Sequence, residues 1–478
     1  MAVLDQNIAC FRFFEQLCAI PHGSHNEQAI SDWLVEFARQ REIPVWQEPC
    51  GNVIMKVPAT AGYEDAPAVM LQAHMDMVCA KTPDSTHDFL TDPLDLYVED
   101  GWLKARGTTL GADDGCGVAM ILAALDQKDL KHPKLECVFT TTEETGMFGA
   151  QALDTSILEA RRMICLDATG ENIVLTASAG GCRAKVEKRF NRTEEAGSGL
   201  RIAISGLLGG HSGVFAAAGR GNANKLLGRC LSALSSHGVS FSLVRLHGGD
   251  KDNAIPAAAE AEVLCADTET AKQVLTELAK QLKTELYPVE KDWRVDITDV
   301  QTERPLCHED SKAVVQLLRL LPDGVTAMSR QVQKLPQISD NLGVVTTRED
   351  CVCFEMSIRS GGESEMQELT ERIALTAQLC GADADIGGAY PAIAYMAESS
   401  FRQQYGEIMK EVWNREIQTL AVHAGAEAGY FARKMPGIEI VTLGPMMEDV
   451  HSPMERLDLA SFEKCTTFLL DVLERLDR

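Results

Sequence analysis

The sequence predicts an α/β protein whose parallel-stranded sheet is interrupted by a smaller α+β segment, and three observations predict it. First, AVMLQAHMDMV (68–78), LECVFTTTEE (135–144) and MICLD (163–167) read as apolar strands. Second, GVAMILAALDQ (117–127) lies between the first two as a helix entered directly from the glycine-rich GADDG, and strands alternating with helices indicate a parallel sheet. Third, the pattern changes character after about residue 182 and strand and helix signals resume near 390. With 478 residues, 45% of them hydrophobic and 24% charged, the chain has the length of two domains and the composition to bury a sizeable core.

The first 40 residues read as two helices. Ser24 and Glu27 have capping-box spacing, and Ile30, Trp33, Leu34, Phe37 and Ala38 follow at helical intervals. Beyond residue 182, RIAISGL and EAEVLCA read as strands. AKQVLTELAKQLKTELYP places Leu275, Leu278, Leu282 and Leu286 on one helical face. CVCFEMSIR alternates, with Val352, Phe354, Met356 and Ile358 on one side and Cys351, Cys353, Glu355, Ser357 and Arg359 on the other. A helix carrying Met366, Leu369 and Ile373 follows, and GGAYPAI (387–393) reads as a connector. There is no internal repeat and no low-complexity tract.

Lys and Arg total 45 against 70 Asp and Glu, a formal net charge of −25, which sets the chain against nucleic acid and anionic lipid as partners. No stretch of ~18 apolar residues could span a bilayer. MAVLDQNIACFRFF lacks the layout of a secretory signal, and the fifteen cysteines are odd in number and scattered from Cys10 to Cys465. The expectation is a reducing cytoplasm with free, mostly buried thiols.

All three strands end in acid or imidazole. His74 and Asp76 close the first on a shared face, Glu143 and Glu144 the second, and Asp167 the third. Ligands gather at the carboxyl ends of strands in open α/β sheets, so this is where a site would be built. Asp113 sits in the turn GADDGCG, and His451 in the loop EDVHSPME. Each has an ordinary reading when taken alone: strand-end carboxylates as caps or solvated turns, Glu143-Glu144 as a surface pair, Asp113-Asp114 as a helix N-cap, His451 as a structural histidine. As a set they suit a site for two divalent metals, because mixed imidazole and carboxylate donors favour zinc, with manganese or cobalt as alternatives. One carboxylate can bridge two ions ~3.5–4 Å apart, and bound water then approaches a pKa of ~7. A glutamate beside a ligand glutamate can hold that water as general base and later protonate the leaving amine. Asp76 suits the task of orienting His74.

The strings QAHMDMV, ARGTTLGADDG, TTTEETGMFGA, GGHSG (209–213), RGNANKLL, NAIP, HAGAEAG and GPMMEDVHSPME occur in order over essentially the whole chain. In this the sequence resembles the aminoacyl-histidine dipeptidases, cytosolic Xaa-His dipeptidases of the dinuclear-zinc exopeptidase family that includes carboxypeptidase G and tripeptidase. The resemblance implies a metallo-exopeptidase catalytic domain with a mixed, largely parallel sheet flanked by helices, interrupted by an α+β lid domain. The expected boundaries are 1–182 and 391–478 for the catalytic parts and 183–390 for the lid. It implies that His74 and Asp167 hold one metal, Glu144 and His451 the other, and Asp113 bridges them. Glu143 would be the general base and Asp76 the acid orienting the histidine. His211 in GGHSG would polarise the scissile carbonyl, with a plain glycine-rich turn as the alternative. Asn253 and Arg359 would contact the substrate carboxylate, for which a guanidinium offers a bidentate fork; the alternative for Arg359 is a surface arginine on an edge strand. Gly425 would lie against the substrate backbone, with His423 and Glu427 supporting the pocket. The implied activity is hydrolysis of dipeptides, Xaa-His preferred, by a metal-bridging hydroxide. A tripeptidase or N-acyl amino-acid deacylase of the same clan is the rival, and the family admits a homodimer.

The chain departs from the family pattern in two places. Ala168-Thr169-Gly170-Glu171 stands where an acidic Ser-Glu run is usual, and Val214-Phe215-Ala216-Ala217-Ala218 where a polar segment with a second histidine is usual. Neither change touches a presumed ligand; both bear on substrate preference. Other features read as structural: Cys351 and Cys353 as buried thiols, Cys116 as packing, His22 and His25 as a solvated turn. His87 has no evident partner.

Overall fold

A computed structural model describes residues 2–477. The chain forms two compact units, one of residues 2–176, 396–420 and 427–477, the other of residues 177–395 and 421–426. The divisions fall after Thr176 and Tyr395, where the sequence suggested 182 and 390, and the short run 421–426 belongs to the second unit.

The first unit is built on a six-stranded sheet in the order Val45–Gln47, Val53–Val57, Leu135–Thr140, Val69–His74, Arg162–Cys165, Glu439–Thr442. The last four run parallel, and the first two are antiparallel additions at one edge. Val69–His74 and Leu135–Thr140 are buried at every position, the signature of strands covered on both faces. The helix Ala112–Leu125 is correspondingly apolar nearly all round and shares a core with Ala9–Cys18, Gln28–Gln40 and Leu459–Arg475. Because the four parallel strands point the same way, the residues that follow them emerge on one side of the sheet: His74, Glu143 and Glu144, Asp167, and the loop carrying His451.

The second unit is a nine-stranded antiparallel sheet, in the order Arg294–Glu303, Ala196–Ser205, Ala259–Leu264, Ser242–Gly248, Pro336–Thr347, Cys351–Ser360, Gly180–Arg189, Asp383–Tyr390. Gly324–Met328 pairs with Pro336–Thr347 off this path. Four helices, Ala223–Ser236, Thr268–Leu286, His308–Leu320 and Glu363–Leu379, share one apolar core with it. Val352, Phe354, Met356 and Ile358 enter that core, as the alternation requires. GGAYPAI is not simply a connector, because the strand Asp383–Tyr390 takes in its first half as the exposed outer strand of the sheet.

Every cysteine is free, and all but Cys50, Cys79 and Cys307 are buried. No helix among the described residues is long and apolar enough to cross a membrane.

Candidate metal centre

The first unit brings all seven of its sequence-predicted residues to one place. Asp113 lies at the centre: His74 Nε2 is 3.2 Å from its Oδ1 and His451 Nε2 is 3.2 Å from its Oδ2. The two imidazoles thus address different oxygens of one carboxylate, the geometry a bridging ligand needs. Glu144 Oε1 is 3.0 Å from His451 Nε2, is buried, and makes no hydrogen bond. Ligand atoms of His74, Asp113 and Glu144 lie within 4.8 Å of one another. Asp167 completes the group, its carboxyl sensing Asp113, His74 and Glu144.

The local sequence explains how each group is held. Asp114 accepts the N–H of Gly117 at 3.1 Å and of His74 at 3.3 Å, so it caps the body of the helix and ties it to the end of the strand. The N-cap reading of the Asp-Asp pair therefore holds for Asp114 alone, and its neighbour is released into the site. Glu455 receives the backbone N–H groups of Leu110, Gly111, Ala112 and Asp113 at 2.7, 3.0, 2.8 and 3.4 Å, fixing the turn that carries Asp113. Asp76 accepts the N–H of Glu143 at 3.0 Å and of Glu144 at 3.3 Å, while its Oδ1 is 3.5 Å from His74 Nδ1. Its main-chain oxygen is 3.0 Å from the same Nδ1, which leaves Nε2 of His74 facing Asp113. Thr142 and His451 adopt the left-handed region with φ of 52° and 63°, a conformation non-glycine residues take mainly where surroundings impose it.

Ser24 and Glu27 do not form the expected capping box. Ser24 Oγ donates to Asp76 at 2.8 Å and Glu27 accepts the N–H of Thr142 at 3.0 Å, so both support the centre rather than the helix. His22 is buried, its Nδ1 2.6 Å from the oxygen of Ile20, and is not a solvated loop residue. Glu427 sits fully buried in this unit, accepting from Gln72 at 2.6 Å and Thr140 at 2.7 Å.

The electrostatics follow from packing so many acids out of water. Burial raises Glu143 well above the ordinary carboxylate range, with Asp167, Glu427 and Glu144 adding to it against the pull of His74. Burial likewise lifts Asp167 to about 7, reinforced by Asp113, and Glu427 to about 8. Burial opposes ionisation of Asp113 too, but hydrogen bonds from His451 and His74 outweigh it and hold this carboxyl low. His451 is pushed up to about 10, first by Asp113 and then by Glu144.

These donors fit a pair of divalent ions. Two imidazole nitrogens turned onto one carboxylate, a buried glutamate oxygen lacking a hydrogen bond and an adjacent aspartate form a mixed nitrogen and oxygen set. Asp113 and then Glu144 favour a proton on His451. That proton stabilises the fold fully below about 6.5 and is lost as the pH rises through about 10. Metal binding at pH 7 should therefore release protons and tighten as pH rises. Calorimetric titration with zinc in buffers of different ionisation enthalpy checks this, and a heat independent of buffer would contradict it.

The second unit holds the remaining predicted residues. His211 Nδ1 accepts the N–H groups of Gly213 at 3.2 Å and Val214 at 3.1 Å, so the ring proton resides on Nε2. That nitrogen is 3.5 Å from Arg359 Nη2. Burial, then the charge of Arg359, lowers the His211 pKa, and the pair is a neutral N–H donor beside a guanidinium. Arg359 is not on an edge strand: Cys351–Ser360 is paired on both sides and the residue is 6% exposed. Its Nη1 donates to the Tyr390 hydroxyl at 2.9 Å, and its buried Nε has no partner. Asn253 carries the loop opposite His211, its carbonyl accepting the N–H of Ser212 at 2.9 Å. Gly425 is exposed against the ring of Tyr390, 2.9 Å from where a Cβ would stand, so a side chain there would collide with it. His423 Nε2 lies 2.7 Å from Ser339 Oγ, and burial and Arg359 lower its pKa to about 4. His423 and Glu427, neighbours in one motif, thus serve different units.

The altered segments have structural counterparts. Glu171 pairs with Lys464 and with Arg415, and Val214–Ala218 form a tight turn with Val214 exposed. Glu455 and Tyr390 are supporting residues to which the sequence assigned no role, and Ser24 and Glu27 were assigned a different one. The only signal for Glu455 is its place at the end of the His451 motif.

Imidazoles and carboxylates converging at the carboxyl ends of a largely parallel sheet, beside a buried acid poised to exchange protons, are the makings of a metallohydrolase centre. The chain belongs to Peptidase family M20/M25/M40, whose pattern matches residues 70–475. It is 33% identical over 469 residues to the cytosol non-specific dipeptidase of Escherichia coli (strain K12), covering 97% of this chain and 96% of that protein. The crystal structure of aminoacylhistidine dipeptidase from Vibrio alginolyticus superposes with a TM-score of 0.91 at 33% identity, covering 98% of this chain and 97% of that one. Aminopeptidase PepT from Bacillus cereus shares the fold at 17% identity and a TM-score of 0.57, over the full length of both chains.

Proposed function

We propose that this chain is a metal-dependent dipeptidase that cleaves short peptides with a free carboxylate, Xaa-His dipeptides among them, with zinc as the ion pair. The observation that carries the reading is Asp113 set between His74 and His451, with Glu144 against His451 and Glu143 buried beside them. His74 and Asp167 would hold one ion, Glu144 and His451 the second, and Asp113 both. When bound, such a pair lowers the pKa of water and polarises the scissile carbonyl.

The chain's own residues supply the rest. Glu143, its affinity for protons raised by burial, takes the proton of the attacking water and returns it to the leaving amine. Asp76 fixes Glu143, Glu144 and His74 at once through the two backbone N–H groups and the ring nitrogen. Arg359 receives the free carboxylate, since a buried guanidinium with an unpartnered Nε calls for an anion. His211 offers its Nε2 proton to a carbonyl oxygen developing negative charge. Cytosolic placement accords with the name of the Escherichia coli relative.

The rivals are a tripeptidase and an N-acyl amino-acid deacylase of the same clan. A panel of dipeptides, tripeptides and N-acyl amino acids separates them. The expected outcome is kcat/KM for dipeptides at least about tenfold above either other class, a difference of ~1.4 kcal/mol; no turnover of any dipeptide would sink the reading.

A further inference from the structure

In the second unit, the strand register places Arg183 and Arg359 on one face of the sheet. Arg359 pairs across with Gly181 and Ser357 with Arg183, so the two arginines are diagonal neighbours on adjacent strands. Arg359 is buried, and no carboxylate pairs with it among the described residues. An unneutralised buried guanidinium is a strong attractor for any anion within reach.

One such anion belongs to the chain itself. Asp252 precedes Asn253 in the loop facing this region, and Asn341 Nδ2 pins its main-chain oxygen at 2.7 Å from the same sheet face. Arg359 depresses the protonation of both His211 and His423, after burial, and Tyr390 senses Arg359, Arg183 and Asp252 together. Asp252 nonetheless turns to Arg183, whose Nε is 2.5 Å from its Oδ2. The Arg183 side chain is 71% exposed, so the pair adds little to stability.

We propose that Arg183 is a positioning residue that keeps the Arg359 site open, by holding the Asp252 carboxylate away from the guanidinium that the substrate carboxylate must reach. This rests on the reading of Arg359 as the carboxylate receptor. Without Arg183, Asp252 becomes a tethered competitor at high effective concentration, and the binding-competent population falls. The consequence is confined to binding, because neither residue touches the groups that move protons.

The test is steady-state kinetics on the metal-loaded, full-length enzyme with one dipeptide. Arg183→Ala should raise KM roughly fivefold or more with kcat within about twofold, as expected when the competent fraction drops. Adding Asp252→Asn, which removes the competing charge at constant shape, should return KM to within about twofold of the parent. Arg359→Lys serves as the reference. If it leaves KM unchanged, the carboxylate-receptor reading falls and this proposal with it. If it raises KM while Arg183→Ala does not, or if the double variant is as impaired as Arg183→Ala, the gate alone is overturned.

Discussion

Glu143→Gln should reduce kcat by about a thousandfold while the protein folds normally and retains its metal. The amide keeps the size and the hydrogen-bonding reach of the carboxyl but cannot accept a proton. General acid–base groups typically supply 10²–10⁴-fold, equivalent to about 3–5 kcal/mol of barrier. A thousandfold lies in the middle of that range, as expected for a buried carboxyl whose affinity for protons burial, more than any neighbour, has raised. Glu143 is not among the groups that would hold an ion, so metal content should match the parent. Metal analysis and kcat on the same preparation check both halves, and a variant with parent-like kcat would remove Glu143 from the mechanism.

Asp113→Asn should be as damaging for a different reason. The carboxylate presents one oxygen to His74 and the other to His451. An amide offers a single oxygen and an NH₂ that would confront one of the imidazoles, so it cannot serve two ions. The expected result is loss of at least one ion per chain together with about a thousandfold loss of kcat, a larger penalty in bound metal than any other single ligand change would bring. Elemental analysis after gel filtration reads the first and turnover the second; a variant that keeps two ions per chain and parent activity would deny Asp113 its bridging place.

The sheet of the first unit was legible because its strands are covered on both faces. Val69–His74 and Leu135–Thr140 are predominantly apolar and buried at every position, and their polar endings mark the carboxyl ends where ligands collect. Of the candidate donors, His74, Glu144 and Asp167 stand out at the ends of such segments, whereas Asp113 and His451 lie in a glycine-rich turn and a polar loop and were marked by the family resemblance. What spacing could not reveal was pairing over long separations. Glu455 reaches the turn at 110–113 only through the fold, and nothing local distinguishes it from a solvated acid. Ser24 and Glu27 satisfied a local rule, yet Asp76 and Thr142 offered them stronger partners brought in by tertiary structure. Asp383–Tyr390 looked like a connector because an outer strand with seven exposed residues and two glycines lacks the apolar alternation that identifies a strand. Arg359 showed the converse: its alternating strand was read correctly, but only the fold shows that the strand is paired on both sides and that Arg359 itself is buried.

Residues 74, 113, 144, 167 and 451 are proposed to hold an ion pair that the chemistry requires. The most direct measurement is metal content and dipeptide turnover on one sample, before chelation, after it, and during stepwise addition of zinc, manganese or cobalt. About two ions per chain are expected at the outset, with loss of turnover when they are removed and recovery completed only as the second equivalent binds. A chain freed of metal that still hydrolyses dipeptides at the starting rate would contradict that requirement.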